Sequence, residues 1–393
     1  MNPLHIGISL WIVLWLLCGC VEPITIPIEE EASLLVAEGI ITDAPGPYQV
    51  KLSLSSPLNQ RQDNPETGAV VFIESEDGEK VRLNETKAGI YLTDSTAIRG
   101  KADKKYRLII NRKNGADYES SWETLRPSPP IDSVYFRNET HIINNLPKPG
   151  SQIYIDSHDP EGNSRFYRWT WKETWKYSAP LSSAFAYAGN LNVVLIEEKK
   201  FCFMRDSSRL IRVGTSTGNS EDIITNQPLA FITGETTRLR HRYSILVQQY
   251  VLSEEEYIFW NSIQEAAENT GTLFDRQPQS TTGNIKNIND SEEPVLGYFS
   301  ASGVTEMRAY VNNIDLNFDV DVTYREQCYQ NIDTIPLGPN SDIQVFQAIA
   351  NGGVFYNYYI PFVNIAGFLI TTPECYDCTV RGGTRQVPDF WEE

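Results

Sequence analysis

The chain has 393 residues, with 33 Lys and Arg against 51 Asp and Glu, for a formal net charge of −18. Such an acidic balance argues against nucleic acid, whose phosphates need clustered cations, and against attachment to an anionic membrane surface by charge alone. Hydrophobic residues at 41% allow proper cores and aromatics at 11%, mostly Tyr and Phe, suit strands, but nothing in the composition names a reaction.

The first element is a leader. Residues Ile6 to Leu17 form an apolar run that is continuous from Leu10. It is too short for a transmembrane helix of roughly 20 residues but suits the apolar core of a secretory signal. Leu17-Cys18-Gly19-Cys20 follows and resembles a bacterial lipobox, in which a small residue precedes the cut and the next Cys thiol receives diacylglycerol. Residues 1–19 are therefore read as a lipoprotein signal peptide with Cys20 as the lipidated residue, although Met1-Asn2-Pro3-Leu4-His5 carries no Lys or Arg. Residues 20–32, with Pro23, Pro27 and Glu29-Glu30-Glu31, read as an extended acidic tether. The expectation is membrane attachment through the N-terminal lipid, facing an extracytoplasmic compartment.

Residues 33–126 are predicted to form a β-sandwich of the immunoglobulin or fibronectin kind. Short strands at Leu34–Ile41, Tyr48–Leu54, Gly68–Glu74, Gly89–Leu92, Tyr106–Ile110 and Tyr118–Leu125 are separated by turn signals. Those turns include Thr42-Asp43-Ala44-Pro45-Gly46-Pro47, Glu76-Asp77-Gly78 and Lys113-Asn114-Gly115. Arg126-Pro127-Ser128-Pro129-Pro130 then reads as a short stiff linker.

Residues 127–393 are predicted as a larger β-dominated domain with at least one inserted α-helix and a Cys-containing tail. Strand signals at Ser133–Phe136 and Gln152–Ile155 precede a period-two stretch from Phe166 to Tyr177. There Tyr167, Trp169, Trp171, Trp175 and Tyr177 share one face, interrupted by Glu173, while Arg168, Thr170, Lys172, Thr174 and Lys176 share the other. The aromatic face is expected to be the core side of a central strand, with an exposed sugar-stacking platform as the alternative. A helix is predicted near 254–269, with Ser253 as N-cap, Glu256 completing a capping box and Leu252 with Tyr257 as a hydrophobic staple. Trp260, Ile263 and Ala267 lie on one of its faces, and Gly271 is expected to end it. Further strands are expected at Gly297–Ser300, Glu306–Val311 and Val345–Ile349.

No catalytic residue, metal site or cofactor is expected. His141, His158 and His241 do not stand at metal-ligand spacing, and no H-E-x-x-H, G-x-S-x-G, Walker or G-x-G-x-x-G pattern occurs. His158 beside Asp159 offers an acid–base pair but reads as a loop residue, and Arg238-Leu239-Arg240-His241-Arg242 reads as a solvated basic face. Asp159-Pro160-Glu161-Gly162-Asn163 and the run from Asp315 to Asp321 invite a calcium reading, yet neither has EF-hand spacing. The second alternates polar and apolar residues, as a strand with one wet face does. With Cys20 given to lipid, Cys202, Cys328, Cys375 and Cys378 fit two structural disulfides in an oxidising compartment, with three connectivities open. Bridges from the Cys375/Cys378 tail to Cys202 and Cys328 would close long loops; a zinc or redox C-x-x-C is the competing reading.

Several of these segments also carry a resemblance. They are Val36-Ala37-Glu38-Gly39-Ile40-Ile41-Thr42-Asp43 with Gly46-Pro47-Tyr48, Tyr167-Arg168-Trp169-Thr170-Trp171 with Glu173-Thr174-Trp175, and Arg242 to Tyr250 with the capped helix. Gly271-Thr272-Leu273-Phe274-Asp275, Gln277-Pro278, Gly283-Asn284-Ile285 and Pro294-Val295-Leu296-Gly297-Tyr298-Phe299 extend it, as do Cys375, Asp377, Cys378, Gly382-Gly383, Pro388 and Phe390-Trp391. Together they resemble a family of Bacteroidota outer-membrane lipoproteins catalogued as domain of unknown function 4249. The resemblance implies an association with a TonB-dependent β-barrel receptor and supplies no catalytic residues. The expected function is a non-catalytic outer-membrane lipoprotein that assists such a transporter or captures its substrate, with the surface face of the membrane favoured over the periplasmic one. An independent adhesin or glycan-binding lipoprotein is the alternative, and a surface-anchored hydrolase a third reading. No nucleic-acid partner is expected, and the ligand is not specified by the sequence.

Overall fold

The computed structural model describes residues 33–56, 64–182, 185–190, 192–268, 283–320, 328–330, 332–351, 354–360 and 365–392. Cys20, with the signal and tether, lies outside the described residues, as does the expected helix stop at Gly271. The chain is mainly β, as its alternating patterns predict.

The N-terminal strands are β1 (Leu35–Thr42), β2 (Gln49–Leu54), β3 (Val70–Ser75), β4 (Lys80–Lys87), β5 (Ile90–Leu92), β6 (Lys105–Asn111), β7 (Asp117–Ser120) and β8 (Glu123–Thr124). They join in the order β7-β6-β3-β4-β5-β2-β1, with β8 also on β6. In β2, Val50 and Leu52 are buried between exposed Gln49 and Lys51; in β3, Val71 and Ile73 point into the same core. Strand β4 went unpredicted because Leu83 is its one buried side chain, so its sequence reads as polar.

Two further sheets share a second core. One is β16-β10-β9, from β9 (Ile131–Ile143), β10 (Leu146–His158) and β16 (Ile223–Thr233). The other is centred on β11 (Phe166–Ser178), flanked by β14 (Phe201–Ser207) and β17 (Arg242–Val251), with β15 (Arg212–Thr215) on one end of β11. A small hairpin of β12 (Phe185–Gly189) and β13 (Asn192–Leu195) lies between β11 and β14 in sequence. Strands β9 and β10 are far longer than their sequence signals, because they extend as a hairpin past the core. Asn144 and Asn145, both at positive φ, make its turn, and Ile142 and Leu146 beside it are exposed. On β11 the aromatic face is the core side: Tyr167, Trp169, Trp171, Trp175 and Tyr177 are all buried. The sugar-stacking alternative therefore loses its exposed surface on this strand.

Helix α1 (Glu254–Glu268) starts as predicted, with the Glu256 amide donating to Ser253 Oγ at 3.1 Å. The reciprocal half of the capping box is absent. The Glu256 carboxylate is buried and accepts instead from Trp260 Nε1 at 3.1 Å and from Ser300 Oγ. Burial pushes this carboxyl above its ordinary range, against the pull of Arg168 and of those two donors.

After the helix the chain returns to the first sheet. Strand β18 (Ile285–Asn287) adds to β7, and β19 (Phe299–Ser302) pairs in parallel with β1, so the ladder becomes ten-stranded and nearly closed. The two ends meet at Asn284, whose side chain donates to the Phe299 carbonyl at 2.8 Å and accepts from the Phe299 amide at 2.9 Å. An Arg126–Ser302 bridge completes the seam. Gly297 is obligatory there, since it sits at φ +97° and a β-carbon would lie 2.1 Å from the Ala37 carbonyl oxygen. The first sheet thus takes in residues well beyond position 126. Strand β20 (Val304–Asn312) then crosses back to pair with β17.

The C-terminal part contains β21 (Asp333–Pro336), α2 (Ser341–Ala350), β22 (Val354–Ile360) and β23 (Ile365–Thr371). The strand expected at Val345–Ile349 is a helix. Val345 is buried, Ala348 and Ile349 are partly buried, and Ile343 and Phe346 are exposed, which is a three-and-four spacing. The run from Asp315 is not a strand either: Asn313–Asp315 is a short 3-10 turn, and Leu316, Phe318 and Val320 tuck against the second core without ladder partners. Asp321 lies outside the described residues.

Of the three connectivities, the chain adopts Cys202–Cys378 and Cys328–Cys375, so each tail Cys bridges to a distant partner and not to its neighbour. Around them, the Cys378 amide donates to the Lys199 carbonyl and Phe203 exchanges both backbone hydrogen bonds with Thr384, which lays the tail across β14.

Two outcomes follow from this packing. Trp169→Ala should cost about 3–5 kcal/mol in denaturant unfolding, whereas Lys172→Ala, one face over, should stay within about 0.5 kcal/mol. Replacing Cys202 and Cys378 together by Ser should lower stability by about 2–5 kcal/mol and raise amide exchange in residues 384–391 before that of β11.

Candidate functional site

The even-numbered face of β11 points away from the aromatic core. Register across the sheet aligns Ser207, Lys172, Leu246 and Arg308 in one row, from β14 through β11 and β17 to β20. The next row holds Arg205, Thr174, Ser244 and Tyr310. Both rows lie on one face, because side chains alternate with period two.

That face is a trough with two walls. At one end α1 covers the sheet, with Tyr250, Val304 and Phe166 packing under Phe259, Trp260 and Tyr257. The Arg168 guanidinium lies over the Trp260 ring at 4.6 Å. At the other end stands the C-terminal tail. Trp391 packs edge-on against Phe203, Tyr310 Oη donates to the Phe390 carbonyl at 2.6 Å, and the Arg308 guanidinium sits 3.5 Å from the Phe390 ring centroid. Between the walls lies a cleft of about 570 Å³, within the range of small-ligand sites.

The cleft is basic in an acidic chain. Lys172, Arg205, Arg209 and Arg308 line it. Lys172, Arg205 and Arg209 are exposed and have no ion-pair partner among the described residues. Arg308 donates to Ser244 Oγ at 2.9 Å, and desolvation pulls it below the usual guanidinium range against nearby Tyr310 and Glu306. Two carboxylates also border the cleft, Glu173 and Asp206, but they belong to the out-of-phase rows. Arg238 spans both, at 3.2 Å from Glu173 and 3.0 Å from Asp206, and Trp171 Nε1 donates to Glu173 at 3.1 Å. Hydroxyls of Thr174, Ser207 and Ser208 and the apolar surfaces of Leu246 and Phe390 complete the lining.

The other sequence candidates are dispersed. His158 ends β10 and is not in a loop; its Nδ1 lies 2.7 Å from the Asp132 carboxylate, so its partner is not Asp159. The bond to Asp132 raises this exposed imidazole above its ordinary range. Asp159 is occupied by its own loop, accepting from the amides of Glu161, Asn163 and Ser164 at 2.9–3.0 Å. That arrangement closes a turn and leaves little of the carboxylate for a cation. His141 stacks on Phe231 and touches Glu139. His241 is half-buried against Ser178 Oγ at 2.8 Å; burial, then Arg240 and two lysines, press it toward the neutral form. The basic run around it is divided, with Arg238 bound to Glu173 and Asp206 and Arg242 to Glu392. No cluster of three or more metal-ligating side chains occurs among the described residues. The sequence displayed Lys172 on its polar face, but Arg205, Arg209 and Arg308 become its neighbours only through cross-strand register.

No curated protein matches this chain. A family profile matches residues 21–308, which leaves the disulfide-bonded tail and the Phe390 wall beyond the matched stretch. The matched stretch contains the aromatic strand, the capped helix that walls one end of the trough, and the seam at Asn284 and Gly297 that closes the first sheet. The chain belongs to the family described as domain of unknown function 4249.

Proposed function

We propose that this chain is a non-catalytic lipoprotein, anchored through Cys20 to the outer membrane, which captures a ligand in the trough for a TonB-dependent β-barrel transporter. The observation that carries the reading is the open cleft on the central sheet, lined by Arg308 and by Lys172, Arg205 and Arg209, which have no ion-pair partner among the described residues. Exposed cations are ordinarily solvated, and it is the gathering of four cations in one walled cleft that suits an external ligand. The anchor is supported by the lipobox that ends at Cys20. No described helix is long and apolar enough to cross a membrane.

The alternatives have less support. A glycan-binding adhesin was to use the tryptophans of β11, which are buried. A hydrolase would draw on paired carboxylates, and the two that border the cleft are both held by Arg238.

Tagged protein isolated from gently solubilised outer membranes should carry a β-barrel transporter in near-stoichiometric amount by mass spectrometry. Cys20→Ala should fold and yet leave the membrane fraction. Recovery of the wild-type protein alone would remove the partner from the reading, and membrane retention of the variant would remove the anchor.

A further inference from the structure

Three features of the trough restrict what it can hold. The first is the spread of charge. Arg205 on β14 and Arg308 on β20 stand three strands apart, roughly 14 Å at the usual strand spacing, with Lys172 between them and Arg209 beside the β14 end. A single inorganic anion is too small to bridge the backbone separation between the two outer arginines. An extended ligand with two or more anionic groups can bridge it.

The second is the floor. Strands β11 and β17 are paired on both sides, so their backbone groups are already used. A peptide binding by strand addition needs a free edge, and the two central strands of the floor have none to give. Recognition must come from side chains. Those that the floor and rim offer are cations and the hydroxyls of Thr174, Ser207 and Ser208, while the two bordering carboxylates, Glu173 and Asp206, are held by Arg238. The third is the wall, where Leu246 and the Phe390 ring give an apolar surface beside the charged groups. Alternating acidic groups, hydroxyls and ring faces are the chemistry of a sugar acid.

We propose that the trough binds an acidic oligosaccharide, a short glycan bearing carboxylate or sulfate groups, with Lys172, Arg205 and Arg308 as its principal anion contacts. This deepens the capture reading and rests on it for the biological role. Arginine is suited to the two outer positions because its planar fork takes both oxygens of a carboxylate or sulfate. The chain's net charge of −18 repels such a ligand at a distance, so the short-range contacts in the trough must supply the selectivity.

The test is calorimetric titration of the purified full-length chain in mild detergent. The probes are an oligogalacturonate, a sulfated tetrasaccharide, a neutral tetrasaccharide and tetraglutamate. At least one of the two acidic sugars should bind, and the neutral sugar and the acidic peptide should bind about tenfold or more weakly. Arg205→Gln and Lys172→Gln change exposed side chains and should each weaken binding about tenfold with unfolding midpoints unchanged. Arg308→Lys keeps the charge but loses the fork, and should also weaken it, whereas Lys51→Gln on the first sheet should have no effect. Failure of both acidic sugars to bind, or binding untouched by these substitutions, overturns the site. Equal binding of tetraglutamate overturns the assignment to sugar. The titration is made without any transporter, so its failure is separable from failure of the partner reading, which the membrane purification decides.

Discussion

Strand β11 governs the arrangement of the rest. Its side chains alternate between faces, so burying Tyr167, Trp169, Trp171 and Tyr177 leaves Arg168, Lys172 and Lys176 no choice but the other side. Each buried aromatic contributes roughly 2–3 kcal/mol, which makes the inward choice decisive, and a one-residue slip would invert it. Glu173 is the exception on the aromatic face. Its carboxylate would be costly to bury alone, and Arg238 with the Trp171 indole offsets that cost. The cations of the trough therefore follow from the core. They are outside because the tryptophans are inside.

The walls come from distant parts of the chain. Helix α1 is held against the sheet by Phe259 and Trp260 and is tied to the first sheet through Glu256 and Ser300. The tail is held by the Cys202–Cys378 bridge and by its paired backbone at Phe203 and Thr384. The family match covers the sheet and α1 but ends at residue 308. One wall therefore belongs to the matched fold, and the other, with Phe390, lies outside it.

Much of this was legible in the sequence, and the exceptions have physical causes. Period-two alternation located β2 and β11, and Ser253 located the start of α1, because those signals are local. The Val345–Ile349 segment misled because a short apolar run fits a strand or a buried helix equally well until Ile343 and Phe346 are seen to face solvent. Gly283-Asn284-Ile285 and Gly297-Tyr298-Phe299 stood out as motifs, but that Asn284 bonds the backbone of Phe299 to seal the first sheet needed coordinates. The trough was the least legible feature. Lys172, Arg205 and Arg308 lie on three strands, and no linear spacing marks residues that cross-strand register alone makes neighbours.

The central claim is that β11 divides a buried aromatic face from an open cationic one. Oxidative footprinting combined with lysine acylation on the native protein tests both faces in one sample. Trp169 and Trp171 should be protected relative to Trp122, which is 41% exposed, while Lys172 should be modified readily. Labelling of Trp169 and Trp171 at the rate of Trp122, with Lys172 protected, would mean that the strand faces the other way and would contradict the account.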